Sequence, residues 1–275
     1  MLHLLCRGYT YPAMTDRALG PLELAVDHGE IVGLMGPNEA GKSTLGLVLS
    51  GMAPAVVGGA LDGELEIDGS SMRGQPAFEL AQRVGYVSQN PSTQLSHVSR
   101  TVYEEIALGP MNLGLPRDEI LARVDDALDR LHIGELAFRD PRRLSGGQAQ
   151  LVAIGSLLAM RPSHLVLDEP TSQLDPSGTR LVGRALAELA AQGAALFVIE
   201  HKADLLDGLC RRIVVLDRGR ILMDGPADAV FTDPGFERLG LLAPSRVRIG
   251  RLAIATGRSL DPPQFAAALD APTPP

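Results

Sequence analysis

The stretch that decides the fold is residues 31–50, IVGLMGPNEAGKSTLGLVLS, in which an apolar run enters a glycine-rich loop and a second apolar segment leaves it. Within the loop, four residues separate Gly36 from Gly41, and Lys42 and Ser43 follow directly, which is the spacing of a phosphate-binding loop. Because the loop joins a predicted strand to a predicted helix, its backbone N–H groups form an anion-binding nest at the positive end of the helix. The sequence therefore predicts a site that holds phosphate oxygens by its main chain.

The side chains of the loop have separate expected roles. Lys42 is expected to reach the β- and γ-phosphates, and Ser43 Oγ to bind Mg²⁺. Glu39 brings a negative charge, and we expect it to point into solvent, at a cost of about 1–2 kcal/mol if its backbone needs a positive φ. Its role stays open between a plain surface charge, tuning of nucleotide exchange and contact with a facing subunit. The predicted nucleotide-binding residues of the loop are Gly36, Pro37, Asn38, Glu39, Ala40, Gly41, Lys42, Ser43 and Thr44.

Composition limits the class of protein. The chain has 275 residues, 45% of them hydrophobic, which is enough for one large α/β domain or a core domain with an appendage. A net charge of −8 disfavours nucleic acid as the main partner, because phosphate-backbone affinity comes from clustered Lys and Arg. We expect no signal peptide and no apolar run of the roughly 20 residues that span a bilayer. The two cysteines, Cys6 and Cys210, are expected to be reduced.

Apolar runs of strand length alternate with helical segments, which predicts a parallel sheet covered on both faces. LELAV (residues 22–26) and EIVGLMG (30–36) are predicted to form a hairpin around the turn DHG. IVVLDRGRILMDG is predicted to form a second hairpin that turns at Asp217, Arg218 and Gly219. The other predicted strands are GELEIDG, RVGYVSQ, HLVLDEP and ALFVIEH.

The chain is predicted to divide into a core domain, residues 1–240, and a small helical extension, residues 241–275, with a flexible Pro-rich end. Residues of about 90–160 are expected to form a helical insertion in the core. One of its helices follows Pro116 and places four apolar residues on one face: Ile120, Val124, Leu128 and Leu131.

Further motifs carry groups suited to nucleotide hydrolysis. LVLDEP ends a predicted buried strand with Asp168, placed to hold Mg²⁺ through water, and Glu169, placed to act as general base. Gln89 follows another strand and can reach the same Mg²⁺ and water. His201 follows a third strand and can contact the γ-phosphate or the water. The segment LSGGQ, with Ser145, Gly146, Gly147 and Gln148, opens a helix whose glycines allow close approach to a phosphate.

With these motifs in this order, the chain resembles the ABC ATPases from its start to about Gly240. The resemblance implies a P-loop NTPase core of ABC type with an N-terminal antiparallel β subdomain, and ATP and Mg²⁺ as cofactors. It implies that Tyr11 stacks on the adenine and that Asp175 of SQLD lies at a dimer interface. It also implies a head-to-tail dimer in which Ser145, Gly146, Gly147 and Gln148 of one subunit meet the ATP held by the other. Homodimer and paralogous heterodimer both stay open.

Three residues depart from the family pattern. Gln173 stands where Ala is common, Leu151 where Arg is usual, and His164 where an apolar residue precedes the DE strand. No departure is expected to touch a catalytic atom, and the effects of Leu151 and Gln173 stay open.

The sequence that follows Gln89, QNPSTQL and then TVYEEIALGPMNLGLPRDEI, resembles the ATPase subunits of energy-coupling factor (ECF) importers. That resemblance implies a peripheral position at the cytoplasmic face of the membrane. The implied partners are a transmembrane coupling protein, a membrane subunit that captures a vitamin or transition-metal ion, and no nucleic acid. Contacts to the coupling protein are expected from Pro91, Gln94 and Leu95. The transported substrate is not predicted.

Two alternatives remain. One is the ATPase of an ordinary ABC importer or exporter. The other is a soluble DNA-repair ATPase of the Rad50 type, in which Glu also occurs in the phosphate loop. The long heptad run of those proteins is not found in this sequence, and the acidic balance disfavours DNA.

Overall fold

The computed structural model of the chain describes residues 1–256, so the Pro-rich end predicted for the tail lies outside the described residues. The described strands form two sheets. They are β1 (Leu2–Thr10), β2 (Leu22–Val26), β3 (Ile31–Met35), β4 (Ala60–Ile67), β5 (Ser70–Ser71), β6 (Val84–Val87), β7 (His164–Asp168), β8 (Ala195–Ile199), β9 (Arg212–Asp217) and β10 (Arg220–Pro226).

The first sheet is antiparallel, with strand order β2-β1-β4-β5. Leu4 in β1 lies opposite Leu24 in β2 and Leu65 in β4, and all three side chains are buried. Residues alternate between buried and more exposed positions along these strands, as expected for a sheet with one face on the core. This is the predicted N-terminal antiparallel subdomain.

The second sheet has the order β10-β9-β3-β8-β7-β6 and is parallel except for β10. All residues of β7 and β8 are buried. Val166 and Phe197 pack in the core shared with the antiparallel sheet, whereas Leu165 and Leu196 pack in the core on the opposite face. The predicted parallel sheet covered on both faces is therefore confirmed.

The hairpin predicted for residues 22–36 is wrong. β2 pairs with β1 in the antiparallel sheet, and β3 lies between β8 and β9 in the parallel sheet. The turn DHG therefore carries the chain from one sheet to the other. The second predicted hairpin is confirmed, because β9 and β10 pair across Arg218 and Gly219, which both have positive φ (47° and 72°) as a two-residue turn requires.

Helices cover both faces of the parallel sheet. The described α-helices are α1 (Lys42–Leu49), α2 (Met52–Ala55), α3 (Ala77–Arg83), α4 (Val102–Asn112), α5 (Arg117–Arg130), α6 (Gly146–Met160), α7 (Pro176–Ala191), α8 (Ala203–Leu209), α9 (Ala227–Thr232), α10 (Pro234–Arg238) and α11 (Ser245–Thr256). Short 3₁₀ turns occupy Pro91–Thr93, Gly134–Leu136 and Pro141–Arg143.

The chain between β6 and β7 is helical and contains α4, α5 and α6. The apolar face predicted for α5 faces the core, because Val124, Leu128 and Leu131 are buried and Ile120 packs against them. Among residues 1–256, no helix is both long and apolar enough to cross a bilayer.

Candidate active site

Four adjacent strands of the parallel sheet bring the predicted catalytic groups to one edge. In the order β3-β8-β7-β6, the strands lead into the phosphate loop, His201, Asp168 with Glu169, and Gln89. Since the strands are parallel, their carboxyl ends lie together, and such an edge is where α/β sheets bind ligands. Residues far apart in sequence thus share one cleft.

The cleft has a volume of about 410 Å³. Its lining consists of Ala18 and of residues predicted to bind or hydrolyse nucleotide: Asn38, Glu39, Gly41, Lys42, Ser43, Thr44, Gln89, Glu169 and His201. The Oγ1 of Thr44 lies 3.0 Å from the hydroxyl of Tyr11. Tyr11 therefore lies beside the cleft, as expected for a residue that contacts the base.

Two glycines of the loop are required by its shape. A Cβ on Gly36 would lie 2.1 Å from the carbonyl oxygen of Leu216, so no larger residue fits there. Gly41 has φ of 97° and ends the loop directly before α1. Glu39 also has a positive φ, 63°, and its side chain is exposed. Exposure is compatible with the predicted direction into solvent, although Glu39 also lines the cleft, and the left-handed backbone costs about 1–2 kcal/mol for a non-glycine residue.

Lys42 begins α1 and is 8% exposed. Its ammonium group donates hydrogen bonds to the carbonyl oxygens of Gly36 (3.0 Å) and Pro37 (2.7 Å). Burial lowers the pKa of Lys42, and the nearby carboxylates of Glu169 and Asp168 oppose that shift. The loop therefore holds a poorly hydrated cation at the N-terminus of a helix, where an anion binds best.

Asp168 ends β7 and is 4% exposed. Burial raises the pKa of its carboxyl group, while hydrogen bonds from Ser43 and Tyr86 lower it. The hydroxyl of Tyr86 donates to Asp168 Oδ2 at 3.4 Å, and burial in turn raises the pKa of Tyr86. The predicted metal residues Ser43 and Asp168 are thus in contact, and Tyr86 is a partner that the sequence did not reveal.

Glu169 lies between two of the other predicted catalytic side chains. Gln89 Nε2 donates to Glu169 Oε2 at 2.9 Å, and His201 Nε2 lies 3.1 Å from Glu169 Oε1. The backbone of Glu169 has a positive φ of 49°, and its N–H donates to the carbonyl oxygen of Ile199 at 2.9 Å. A non-glycine residue held in this conformation is characteristic of functional sites, since the surrounding structure must impose it.

The buried carboxylate of Glu200 connects the loop that follows Glu169 to the loop that carries His201. Glu200 is 2% exposed and accepts hydrogen bonds from the backbone N–H of Thr171 (3.2 Å) and of His201 (2.9 Å). It also accepts from the hydroxyl of Thr171, and Lys202 Nζ donates to the carbonyl oxygen of Thr171 at 2.7 Å. Glu200 therefore ties the loop after Glu169 to the loop that carries His201. Sequence reasoning missed this residue, because an acid at the end of a strand resembles a solvated strand end.

The predicted partner-contact residues are not among those that line the cleft. Ser145 caps α6 in a reciprocal pair with Gln148, in which each side chain accepts a hydrogen bond from the other's backbone N–H (3.3 and 3.1 Å). Asp175 caps α7 by accepting from the N–H of Gly178 at 2.7 Å. These residues form ordered, mostly exposed helix starts outside their own chain's phosphate site.

Gln173 lies against this helix start. A Cβ on Gly146 would be 2.1 Å from Gln173 Oε1, so the amide packs directly on the glycine. The side chain that departs from the family pattern thus contacts the LSGGQ segment of its own chain. Leu151, another departure, is partly buried against the core.

Two of the contacts predicted for a coupling protein are wrong. Pro91 and Leu95 are buried within the chain, and Gln94 uses its side chain to bond the backbone of Ser88 (3.1 Å) and Tyr86 (2.7 Å). The large apolar side chains that the segment between β6 and β7 exposes are instead Val98 (77%), Met111 (56%), Leu121 (36%) and Phe138 (86%). The burial of Pro91 and Leu95 could not be predicted from the sequence, because short apolar stretches without periodicity do not show which residue faces inward.

Comparison with known proteins identifies this class of site. A family model described as ABC transporter matches residues 19–172. A putative ABC transporter ATP-binding protein of Methanosarcina mazei is 42% identical over 258 residues, 93% of this chain and 43% of that protein. This chain therefore spans less than half the length of that relative. The energy-coupling factor transporter ATP-binding protein EcfA of Methanosarcina acetivorans is 37% identical over 273 residues, which cover 97% of this chain and 96% of that protein.

Solved structures agree with the sequence comparison. The structure of cbiO1 from Clostridium perfringens, described as part of the ABC transporter complex cbiONQ, has a TM-score of 0.74 at 26% identity and covers 98% of each chain. A dimeric post-hydrolysis state of the ATP-binding cassette MJ0796, bound to ADP and Pi, has a TM-score of 0.72 at 25% identity over 82% of this chain and 99% of that chain. The chain belongs to the ABC transporter ATPases, and its fold is that of their ATP-binding cassette.

Proposed function

We propose that this chain hydrolyses ATP as the motor subunit of an ECF-type membrane importer that takes up a vitamin or a transition-metal ion. The near full-length match to a relative named EcfA, 97% of this chain and 96% of that protein, carries the choice of importer class. The TM-score of 0.74 to cbiO1, over 98% of both chains, supports the same choice.

ATP binding is assigned to the phosphate loop. The backbone of residues 36–44 and the N-terminus of α1 supply donors for the phosphates, and Lys42 supplies the cation. Tyr11 stacks on the adenine in this proposal, since its ring lies beside the cleft and is fixed edge-on against Tyr9 at a centroid distance of 5.1 Å.

The donor set beside the loop suits Mg²⁺. Ser43, Gln89 and Asp168 offer a hydroxyl, an amide carbonyl and a carboxylate, and Mg²⁺ prefers such hard oxygen ligands together with phosphate oxygens. Ser43 and Asp168 are in hydrogen-bond contact. When bound, Mg²⁺ neutralises charge on the β- and γ-phosphates.

Hydrolysis is assigned to Glu169 as the general base. Both of its carboxylate oxygens are positioned by neighbours, one by Gln89 at 2.9 Å and one by His201 at 3.1 Å, so the carboxylate is fixed toward the cleft. Glu169 takes the proton of the attacking water as that water bonds to the γ-phosphorus, and the bond to the β-phosphate oxygen breaks. His201 contacts the γ-phosphate or the water, and Gln89 orients the same water.

We further propose that two subunits close head to tail around two ATP molecules. Ser145, Gly146, Gly147, Gln148 and Asp175 contact the nucleotide held by the other subunit. Two features support this: these residues lie outside their own cleft and are ordered by capping bonds that leave the start of α6 accessible. A dimer is the described state of the structural neighbour MJ0796 with ADP and Pi. Because one chain contains both half-sites, the simplest form is a homodimer.

Closure of the dimer is proposed to move a transmembrane coupling protein and, through it, a substrate-capturing membrane subunit. The chain would then lie peripherally on the cytoplasmic face of the membrane, held by those partners. Val98, Met111 and Phe138 expose apolar surface in the helical insertion, residues 90–160. Contiguous exposed apolar surface marks protein-binding sites, and these side chains are proposed to contribute to such a surface.

The test is affinity purification of the tagged chain from detergent-solubilised membranes. A coupling protein with several membrane spans and a smaller membrane protein should be recovered in fixed ratio. Val98→Asp should reduce their recovery without changing ATP hydrolysis by the purified chain. Leu222→Asp, at a 51% exposed apolar position on β10, is the matched control and should leave recovery unchanged. Recovery with DNA and no membrane protein would support the DNA-repair alternative instead.

A further inference from the structure

Three side chains that can bind a metal ion meet at the opposite end of β7 from Asp168. They are His28 in the turn between β2 and β3, Asp68 in the turn between β4 and β5, and His164, the first residue of β7. One ligand atom from each lies within 4.8 Å of the other two. The strand separates this cluster from Asp168 by four residues, or roughly 13 Å at the usual rise. The cluster is therefore not part of the nucleotide site.

The buried member of the cluster lacks a partner on the side that faces the others. His164 is fully buried, and its Nε2 makes no hydrogen bond to any group within residues 1–256. Nε2 lies 3.5 Å from Asp68 Oδ1 but makes no hydrogen bond to it. An unsatisfied ring nitrogen in a protein interior costs about 1–3 kcal/mol, so its persistence calls for a ligand.

The other ring nitrogen of His164 determines which form of the imidazole is present. Nδ1 lies 3.0 Å from Ser163 Oγ, and that hydroxyl donates to the carbonyl oxygen of Arg83 at 3.4 Å. The tautomer with the proton on Nδ1 lets Ser163 Oγ accept a hydrogen bond from Nδ1–H while the hydroxyl proton stays on the Arg83 carbonyl. In that tautomer, Nε2 carries a lone pair directed at the carboxylate of Asp68. A second nitrogen held by a hydrogen bond is the usual support for a metal-binding histidine.

A lone pair that faces an anion is repelled unless a cation lies between them. Asp68 is such an anion. Partial burial acts to raise the pKa of its carboxyl group, but hydrogen bonds from the Met1 amino group and from His28 outweigh it and lower the pKa. The Met1 amino group lies 2.6 Å from Asp68 Oδ1, and His28 Nε2 lies 2.7 Å from the same oxygen. The Asp68 carboxylate is thus in contact with a positively charged amino group and with a histidine ring.

The turn fixes the carboxylate in place. Asp68 and Gly69 both have positive φ, 52° and 72°, in the tight connection between β4 and β5. Aspartate is among the few residues that tolerate this conformation. The rings of His28 and His164 are 5.0 Å apart between centroids, and both Nε2 atoms lie near Asp68 Oδ1, at 2.7 and 3.5 Å.

We propose that His28 Nε2, Asp68 Oδ1 and His164 Nε2 form a binding site for one divalent transition-metal ion, with Zn²⁺ as the representative ion. Ligands about 2.0–2.2 Å from a tetrahedral centre are roughly 3.3 Å from one another. The carboxylate-to-imidazole distances of 2.7 and 3.5 Å bracket that value. Two imidazoles and one carboxylate suit zinc or its neighbours, whereas Mg²⁺ and Ca²⁺ prefer oxygen ligands alone.

The bound ion would join the two sheets. His28 and Asp68 belong to the turns that follow β2 and β4 of the antiparallel sheet, and His164 begins a strand of the parallel sheet. A metal bound only by the folded chain stabilises it, by an amount that depends on metal concentration. Zinc should therefore raise the melting temperature of the protein.

The experiment is a Zn²⁺ titration of tag-free, nucleotide-free full-length protein against a chromophoric chelator, followed by a thermal melt. All variants carry His201→Ala, so that the His201–Glu169 pair cannot bind the metal. The parent should bind one equivalent of Zn²⁺, and Co²⁺ in its place should give the visible absorption of a tetrahedral site. His28→Gln and Asp68→Asn should each weaken binding by at least about tenfold and abolish the zinc-dependent rise in melting temperature.

His3→Gln is the matched control. It removes a histidine that pairs with a single carboxylate, Glu23, at 3.0 Å on the same sheet, and zinc affinity should not change. Both test positions are about half exposed, 50% for His28 and 43% for Asp68, so the variants should fold, which far-UV circular dichroism would verify. Failure of the parent to bind zinc would overturn the proposal, as would equal affinities for the parent and His28→Gln.

Discussion

The two half-sites of this cassette are built in different ways. The catalytic half-site joins groups from four strand ends, and its central residue, Glu169, has both carboxylate oxygens engaged by Gln89 and His201 of the same chain. The LSGGQ half-site is ordered by its own helix cap and by the packing of Gln173 on Gly146. In the proposed dimer, one half-site is therefore assembled by folding, whereas the other would act on a second molecule. Variants in the catalytic half-site and in the LSGGQ half-site should therefore differ in how they change ATP affinity and ATP hydrolysis.

The largest effect is expected for Glu169→Gln. The amide keeps the shape and the hydrogen-bonding neighbours but cannot take a proton, so phosphate release should fall by about 10²–10⁴-fold. ATP affinity should stay within about threefold, or roughly 0.7 kcal/mol, as measured with a fluorescent nucleotide. Glu135→Gln, at an exposed position in the helical segment between β6 and β7, is the control. Undiminished phosphate release by Glu169→Gln would refute the general-base role.

Lys42→Ala should weaken nucleotide binding. The variant removes charge-assisted hydrogen bonds to the phosphates, which are worth about 1.5–3 kcal/mol or roughly 10–150-fold in affinity. Equilibrium binding of ATP and of AMP would check this prediction. AMP should bind almost equally to both proteins, since it lacks the β- and γ-phosphates. An equal loss for both ligands would indicate a disrupted loop rather than a lost phosphate contact.

Gly147→Asp should distinguish the LSGGQ half-site from the catalytic half-site, because it should impair hydrolysis without impairing ATP binding. An acidic residue in the first turn of α6 is compatible with the helix dipole and repels the γ-phosphate of a facing subunit. Its Cβ would lie 3.1 Å from the Gln173 carbonyl oxygen, so that carbonyl must shift by a few tenths of an ångström. Hydrolysis should fall by more than about tenfold, or 1.4 kcal/mol, while ATP affinity of the single chain stays within about twofold. Gly134→Asp, where a Cβ would meet none of the described atoms within 4 Å, is the control. A matching loss of affinity in the monomer would place this segment at its own nucleotide.

The smallest effect is expected for Glu39→Gly. Its φ of 63° suits glycine, and the exposed carboxylate is screened by water, so ATP affinity should change by less than about tenfold. His132→Gly, at another exposed non-glycine position with positive φ (51°), should give a similar change in stability and no change in affinity. A gain in affinity well above tenfold would mean that Glu39 restrains nucleotide binding.

Much of the fold was predictable because its signals are local. The spacing of Gly36, Gly41 and Lys42 identifies the loop, and dense apolar runs identify the buried strands β7 and β8. The pairing of β2 with β3 was predicted wrongly, because a short turn between apolar runs does not reveal which sheet each run joins. Their patterns do differ: β2 alternates around Glu23, as in a sheet with one solvated face, whereas β3 is apolar throughout.

The position of the proposed catalytic groups could be predicted for the same reason: each follows a strand, and parallel strands end at one edge. The residues that hold these groups in position could not be predicted from the sequence. Glu200 and Tyr86 act through contacts with segments far along the chain, and no local pattern marks them. The meeting of His28, Asp68 and His164 likewise depends on how the two sheets pack. For Pro91 and Leu95 the error was the reverse: they belong to a recognisable motif and were predicted to contact a coupling protein, but both are buried within the chain.

The most direct measurement is the structure of the Glu169→Gln variant with Mg²⁺ and ATP. The account predicts a dimer in which the γ-phosphate of each ATP lies within hydrogen-bond distance of Ser145 and Gly147 of the other subunit. A γ-phosphate enclosed by groups of its own chain, with Ser145 and Gly147 turned to solvent, would contradict it.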